Sequence, residues 1–473
     1  MGRMDPTVAL VARWFAIDSA PLAPYGKPMN SPLRPALIPS GNSVATASRR
    51  SFLKTTGAAA VGSALAPFVL AQSRAQAAGQ GDLLKVGLIG CGGRGTGAAR
   101  QALNADPNTV LTAMGDVFPD IVDNSLRQLR QAEPDRVKVE PDHRFSGLDA
   151  YQKVIDSGVD VVLLAAPPGF RPRHFQAAVA AGKHIFCEKP VATDAPGIRT
   201  VLKWVEESKR KKLSVVSGFC WRYDYPRRAF FGRIHDGAIG EMRAVYGTYY
   251  TGPVKPMPPA TTRKPGMTDL EWQLRNWYNF TWICGDSLVE QAVHSVDKMA
   301  WAMKDEMPIS AVAVGGRQIP AHGGDIFDHF EINYEYASGA RGFLACRQQS
   351  GCYNENNDYL LGEKGLANIK SGRIEILAGD TPWRYRGPTN DMYQTEHDEL
   401  FASIRKGEPM NDGVWMSNSC MMAIMGRMAA YTGAEVTWDM ALNSQEKLVP
   451  DNLDWNMTLE TRPVPQPGVT RFV

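Results

Sequence analysis

The sequence is short of the features that would mark a disulfide scaffold, a zinc protein, a nucleic-acid binder or an integral membrane protein. Its seven cysteines (91, 187, 220, 284, 346, 352 and 420) are scattered over 473 residues, odd in number and without a C-x-x-C pair. With apolar neighbours around most of them, they read as buried thiols. Charge of one sign is also scarce: 52 Lys+Arg against 49 Asp+Glu leave a net +3, too mild for a polyanion-binding surface. Beyond residue 77 no apolar run is long enough to span a bilayer. No internal repeat or low-complexity tract occurs outside the N-terminal region. What remains, 44% hydrophobic and 21% charged, is a globular composition with room for two domains.

The N-terminus carries an address. Ser48-Arg-Arg-Ser-Phe-Leu-Lys54 has the form of a twin-arginine export signal, the weakly apolar stretch 55–71 follows, and Ala75-Gln-Ala77 offers small residues for a peptidase. The expectation is a disordered, Pro-rich extension over 1–47, a signal peptide over 48–77, and a periplasmic or otherwise exported protein with no permanent anchor. That route carries proteins already folded, commonly with a cofactor inside.

From Lys85 strand and helix patterns alternate. Val86–Ile89, Val110–Met114, Val159–Ala166, His184–Cys187 and Leu213–Ser217 read as strands. Between them, Thr96–Asn104, Pro119–Gln131, Pro172–Ala181 and Asp194–Arg210 read as helices, the last capped by Asp194. Such alternation implies parallel pairing through right-handed crossovers, a doubly wound sheet. After Gly218 the segments Arg243–Thr251, Ile309–Val314, Asp328–Tyr336, Gly342–Gln348, Tyr359–Leu361 and Arg373–Leu377 are separated by turn signals. They predict a mostly antiparallel sheet with few crossover helices. Helices return at Thr395–Lys406 and Ser417–Thr432, with Gly433 as a cap. The expected class is therefore α/β, with a dinucleotide-type domain over 82–217, an α+β domain over 218–447 and a tail over 448–473.

Between the first strand and helix lies Gly90-Cys-Gly-Gly-Arg-Gly95, a G-x-G-x-x-G. Glycines at these positions permit a tight turn and close approach of backbone to a pyrophosphate, which the helix N-terminus favours. Asp116 follows at the end of the second strand, where a carboxylate accepts from a ribose 2′-OH. Strand, loop, helix and acid together predict dinucleotide binding, NAD rather than NADP, because an acid repels a 2′-phosphate. Arg94 is a cation that such a phosphate would seek, which tempers the preference. A Gly-rich turn with Asp116 as a helix cap is the structural alternative.

His184-Ile-Phe-Cys-Glu-Lys-Pro-Val191 carries an apolar strand into Glu188 and Lys189, and Pro190 holds Lys189 in extended backbone. An ammonium aimed from a strand end polarises a carbonyl or the alcohol that becomes one. A surface lysine neutralised by Glu188 is the plain alternative. In Gly285–Asp297, Glu290, His294 and Asp297 are spaced i, i+4, i+7 on one face of a predicted helix. His294 is a candidate general base that Glu290 would orient. A Ser287–Glu290 capping box, a core histidine, or a metal site from the three are the competing readings. The stretch Trp272–Trp282 offers aromatic faces to a sugar or packs in the core, and Arg222 and Tyr223 lie near enough in sequence to reach the site.

Taken together, the glycine loop, "AAPPGFRPRH" (165–174), "AGKHIFCEKPVA" (181–192), "GFCWRYDYP" (218–226), "GAIGEMRAV" (237–245) and "GDSLVEQAVHSVD" (285–297) resemble the Gfo/Idh/MocA oxidoreductases over about Leu83–Val436. The resemblance implies a Rossmann domain followed by an α/β domain with a large open sheet, often used for oligomers, and C-terminal helices packed back on the first domain. It implies cofactor contacts from Gly90, Cys91, Gly92, Arg94, Gly95, Asp116, Pro168, His174, Glu188 and Lys189. Lys189, His294 and Glu290 become the catalytic set, and the Lys189–Pro190 peptide a candidate cis bond. The family commonly has Asp where this chain has Glu290, which puts that residue's role in question. The expected protein is an exported NAD(P)-dependent oxidoreductase of sugars or polyols, cofactor tightly held, no metal required, homo-oligomeric through the sheet. An NAD-dependent glycosidase or lyase and a non-catalytic sugar-binding protein are the alternatives.

Overall fold

A computed structural model describes residues 81–319, 323–380 and 382–473; the extension over 1–47 and the signal segment 48–77 lie outside the described residues. The first sheet has six strands, β1 Leu84–Ile89, β2 Thr109–Asp116, β3 Arg144–Ser146, β4 Val161–Leu164, β5 His184–Cys187 and β6 Val215–Ser217. All pair in parallel, in the order β3-β2-β1-β4-β5-β6. Every residue of β4 and β6 is buried, as expected where helices cover both faces of a parallel sheet. The order reverses direction between β1 and β4, which opens a crevice at the strands' carboxyl ends.

Among the described residues, helices of seven or more residues are α1 Gly93–Ala105, α2 Pro119–Ala132, α3 Ala150–Asp156, α4 Arg171–Ala180, α5 Ala195–Arg210, α6 Tyr225–His235, α7 Asp269–Arg275, α8 Val293–Ala302, α9 Met392–Lys406 and α10 Gly413–Thr432. Asp194 caps α5 as its sequence position requires, accepting from Gly197 N at 2.8 Å. Gly433 ends α10 at φ 72°, the left-handed conformation a C-terminal cap needs. No described helix is long and apolar enough to cross a membrane.

The second sheet runs β14-β13-β12-β11-β7-β10-β9-β8-β15, with β7 Met242–Thr251, β8 Ser310–Gly316, β9 His329–Glu335, β10 Arg341–Gln348, β11 Asp358–Gly362, β12 Gly365–Lys370, β13 Arg373–Ala378, β14 Trp383–Arg384 and β15 Val436–Thr437. It is antiparallel except where β7 and β10 pair in parallel. Among the elements absent from the sequence expectation are β3, β12, α3 and α6. Three residues at a sheet edge leave no periodicity to read, and β12 lies between two glycine-bearing turns with only weak alternation. α6 is announced only by its Asp224 cap and Pro226.

The last long helices return to the first sheet. α9 lies against α1, and Arg405 from α9 pairs with Asp106 just past the end of α1 at 2.6 Å. α10 is buried on nearly every face, as an all-round apolar helix must be. Through these contacts one cleft acquires walls from the glycine loop, the β4 and β5 ends, residues 249–294 and α9.

Candidate active site

The cleft has a volume of about 620 Å³. Its floor is the turn after β1. Gly90 has φ 93°, and a Cβ there would sit 2.3 Å from Ala166 N. A Cβ on Gly95 would sit 1.9 Å from Gly90 O, so both positions exclude any side chain. At Gly92 and Gly93 a Cβ would meet no atom within 4 Å; there the absence of a side chain leaves room for a ligand beside the N-terminus of α1. Asp116 is fixed by Cys91 N (2.8 Å) and Phe118 N (3.2 Å) and lines the same cleft. Burial raises its pKa above the ordinary carboxylate value, and these amide donors work against that rise. Amide donors, open glycine positions and an anchored acid at this spacing fit a dinucleotide: the loop for its diphosphate, Asp116 for a ribose diol.

Arg94 does not stand ready for a 2′-phosphate. Its Nε pairs with Glu188 and its Nη2 with Glu396 of α9 at 3.1 Å, while its guanidinium lies 5.0 Å from the Tyr393 ring centre. Burial works against the charge, but Glu188 and Glu396 outweigh it and the pKa rises. Glu396 is fully buried and carries one unpartnered oxygen. Burial, reinforced by Glu188, raises its pKa well above the ordinary value.

Lys189 and His294 line this one cleft, although 105 positions separate them. The Lys189–Pro190 peptide is cis. Lys189 Nζ donates to the Glu290 carbonyl and lies 3.5 Å from Glu290 Oε1. His294 stands edge-on to Phe219 (5.9 Å between ring centres) and against Trp221 (4.9 Å), and its Nδ1 has no hydrogen-bond partner. Burial first, then the charges of Lys189, Lys298 and Arg227, hold its pKa well below 6.5. The ring is therefore neutral at neutral pH, the state a proton acceptor needs.

This geometry corrects the expected role of Glu290 and the expected reach of Arg222 and Tyr223, and it removes two of the competing readings. Glu290 does not hold His294. Residues Leu288–Ala292 form a π-turn before α8, and its wider winding breaks the i, i+4 register assumed for a plain helix. The Glu290 carboxylate faces Lys189 and accepts from Gln291 Nε2 at 2.6 Å. The capping box is also absent, since Ser287 Oγ bonds Asp286 and the Phe327 carbonyl. Asp297 points away, taken by Arg222 Nη2 (2.9 Å) and Ser419 Oγ (2.8 Å), so the three side chains do not converge on a metal. Arg222 and Tyr223 likewise stay out of the cleft, Arg222 stacked 4.1 Å from Trp415 and Tyr223 bonded to Asp412.

Of the predicted cofactor set, Gly90, Gly92, Arg94, Gly95, Asp116, Glu188 and Lys189 line the cleft; Cys91, Pro168 and His174 do not. Cys91 is buried and acts through its amide on Asp116. Pro168 opens a buried turn behind the wall. His174 lies behind the glycine loop in a smaller cavity, stacked on Tyr151 at 4.3 Å. From 272–282, only Leu274, Arg275 and Trp277 reach the cleft; Trp282 is core, donating to Gln273 Oε1 at 2.7 Å. The lining residues that sequence reasoning missed include Arg171, Trp221, Tyr249, Gln291 and Tyr393. Trp221 and Arg171 lay inside stretches that carried the family resemblance; nothing local marks Tyr249 or Tyr393.

A parallel sheet with a glycine turn, and a lysine and a neutral histidine over the same crevice, define a nicotinamide-dependent oxidoreductase. Residues 84–217 match the oxidoreductase family with an NAD-binding Rossmann fold, Gfo/Idh/MocA. The chain is 26% identical to the inositol 2-dehydrogenase of Rhizobium meliloti over 325 residues, 68% of this chain and 86% of that one. It is 22% identical to the myo-inositol 2-dehydrogenase of Thermotoga maritima over 339 residues, 69% and 90% of the two. In fold it is similar to levoglucosan dehydrogenase in complex with NADH and levoglucosan (TM-score 0.60, 20% identity, 75% of this chain and 99% of that one). The aldose-aldose oxidoreductase of Caulobacter crescentus is similar to nearly the same degree (TM-score 0.59, 19% identity, 75% and 99%).

Proposed function

We propose that this protein is an exported, NAD-dependent dehydrogenase of a sugar, a polyol or a sugar derivative. The observation that carries the reading is the shared cleft of Lys189, His294 and the Gly90–Gly95 turn. A bound nicotinamide would supply the hydride acceptor or donor. His294, neutral and beside Trp221, takes the hydroxyl proton of the carbinol. Lys189 donates to the same oxygen as it gains carbonyl character, and Glu290 holds the ammonium in that direction. Trp221, Trp277 and Tyr249 line the cleft with aromatic surface suited to the apolar side of a sugar. NAD is preferred to NADP because Asp116 faces the ribose site and Arg94 is committed to two carboxylates.

The relatives named inositol 2-dehydrogenase support a polyol or sugar substrate. Export rests on residues 48–77, and fractionation of cells carrying Arg49→Lys with Arg50→Lys checks it: a mature form that still leaves the cytoplasm refutes it. A cofactor retained through export would be recycled by a second substrate. Val312, Val314, Leu361 and Leu366 stand exposed on the second sheet, which supports self-association there, testable by light scattering. The deciding experiment is purification followed by identification of co-eluting nucleotide, then assay of sugars and polyols for nicotinamide reduction. No bound or added nicotinamide reacting with any substrate, with Lys189→Met and His294→Ala indistinguishable from the parent, would refute the enzyme reading.

A further inference from the structure

One buried cation of the cleft has no counter-ion. Arg171 begins α4, directly after the β4 end, and is only 5% exposed, yet it lines the cleft wall. Its Nη1 donates to the carbonyl of Pro190, the residue after Lys189. Its Nε is buried and makes no hydrogen bond, and among the described residues it forms no ion pair. Buried guanidinium groups are ordinarily paired, and a buried donor left unmade costs stability. The acids whose charge it feels, Glu188 and Glu290, are already engaged. With Glu188 held by Arg94 and Glu290 facing Lys189, no carboxylate of the cleft is paired with Arg171.

The dinucleotide's own anionic group does not supply the balance there. Its diphosphate belongs at the glycine turn and the N-terminus of α1, one strand away from the β4 end that carries Arg171. An oxidised nicotinamide would add a further positive charge near Lys189. We propose that Arg171 is the recognition residue for a carboxylate on the substrate, so that the enzyme acts on an acidic sugar derivative such as an aldonic or uronic acid in preference to the neutral sugar. This rests on the dehydrogenase reading above and narrows its substrate class. The planar guanidinium offers a carboxylate two parallel N–H donors, which a lysine at this position would not.

The test compares matched substrates, glucose with glucuronate and gluconate, and galactose with galacturonate, in NAD-linked assays of the full protein. Wild type is expected to favour the acid of each pair in kcat/KM. Arg171→Met should lower kcat/KM for the acids by about 10- to 100-fold more than for the neutral sugars, with the NADH dissociation constant unchanged. Arg171→Lys should recover part of the loss. Equal use of acid and neutral sugar by wild type overturns the proposal. So does weaker NADH binding in Arg171→Met, which would make the residue a cofactor contact, or an equal fall for both substrate types. If no sugar is oxidised, calorimetric binding of glucuronate and glucose to the NADH-loaded protein decides separately. Acid-selective binding that needs Arg171 sustains the subsite while the dehydrogenase reading fails, and its absence overturns both. Should Arg171→Met not fold, the wild-type acid-to-neutral ratio and Arg171→Lys settle the question.

Discussion

Replacing His174 by Phe should flatten the acid side of the stability profile. The side chain is buried behind the glycine turn, stacked on Tyr151 and 6.1 Å from Phe170, with Nδ1 unpartnered. Burial first, then Arg173 and Arg171, lower its pKa from 6.5 to about 3. A group whose folded pKa lies below its unfolded value binds protons in the unfolded chain first. Between pH 6.5 and about 3 the unfolded state therefore holds one more proton per such histidine, and stability falls as the pH drops. At about 1.4 kcal/mol per pH unit, His174 alone costs about 2 kcal/mol between about pH 7 and pH 5. His294 and His397 are depressed in the same direction and add to the acid slope. Phe keeps the ring stack and has nothing to titrate. Urea unfolding of parent and variant at about pH 7 and pH 5 measures the difference: the variant should lose about 2 kcal/mol less on acidification. An identical loss in both proteins would refute the assignment of a neutral, desolvated His174.

Lys189→Met should lower kcat by about two to three orders of magnitude while nucleotide binding, followed by NADH fluorescence, stays near wild type; loss of binding with unchanged kcat would contradict the role given to the ammonium. The acid limb of kcat/KM should fall below pH 6.5, because a depressed His294 stays neutral into acid. A limb at or above that value, or a profile shared with His294→Ala, would exclude His294 as the base. Gly95→Ala should abolish nucleotide binding, since its Cβ would stand 1.9 Å from Gly90 O, and a variant with native NADH affinity would show that the turn does not carry the dinucleotide.

Much of this protein is written locally. Strand–helix alternation, the glycine turn, the acid at 116 and the Asp194 cap depend on neighbours within a few tens of positions, so period and turn chemistry expose them. Lys189 is readable for the same reason, because Pro190 constrains the residue before it. What the sequence could not decide was how distant charges share partners. Spacing alone put Glu290 beside His294 and Asp297 with both, but a single π-turn rotated Glu290 toward Lys189. Arg222, from another element, claimed Asp297. Arg94 looked free in its loop until α9, some 300 positions later, brought Glu396 to it. Burial and charge pairing are set by whichever groups the folded chain packs together, and desolvation makes each such pairing decisive. The local pattern marked the glycine turn and the strand ends that line the cleft; only the tertiary packing determined which side chains join them there and which of their charges are left without a partner.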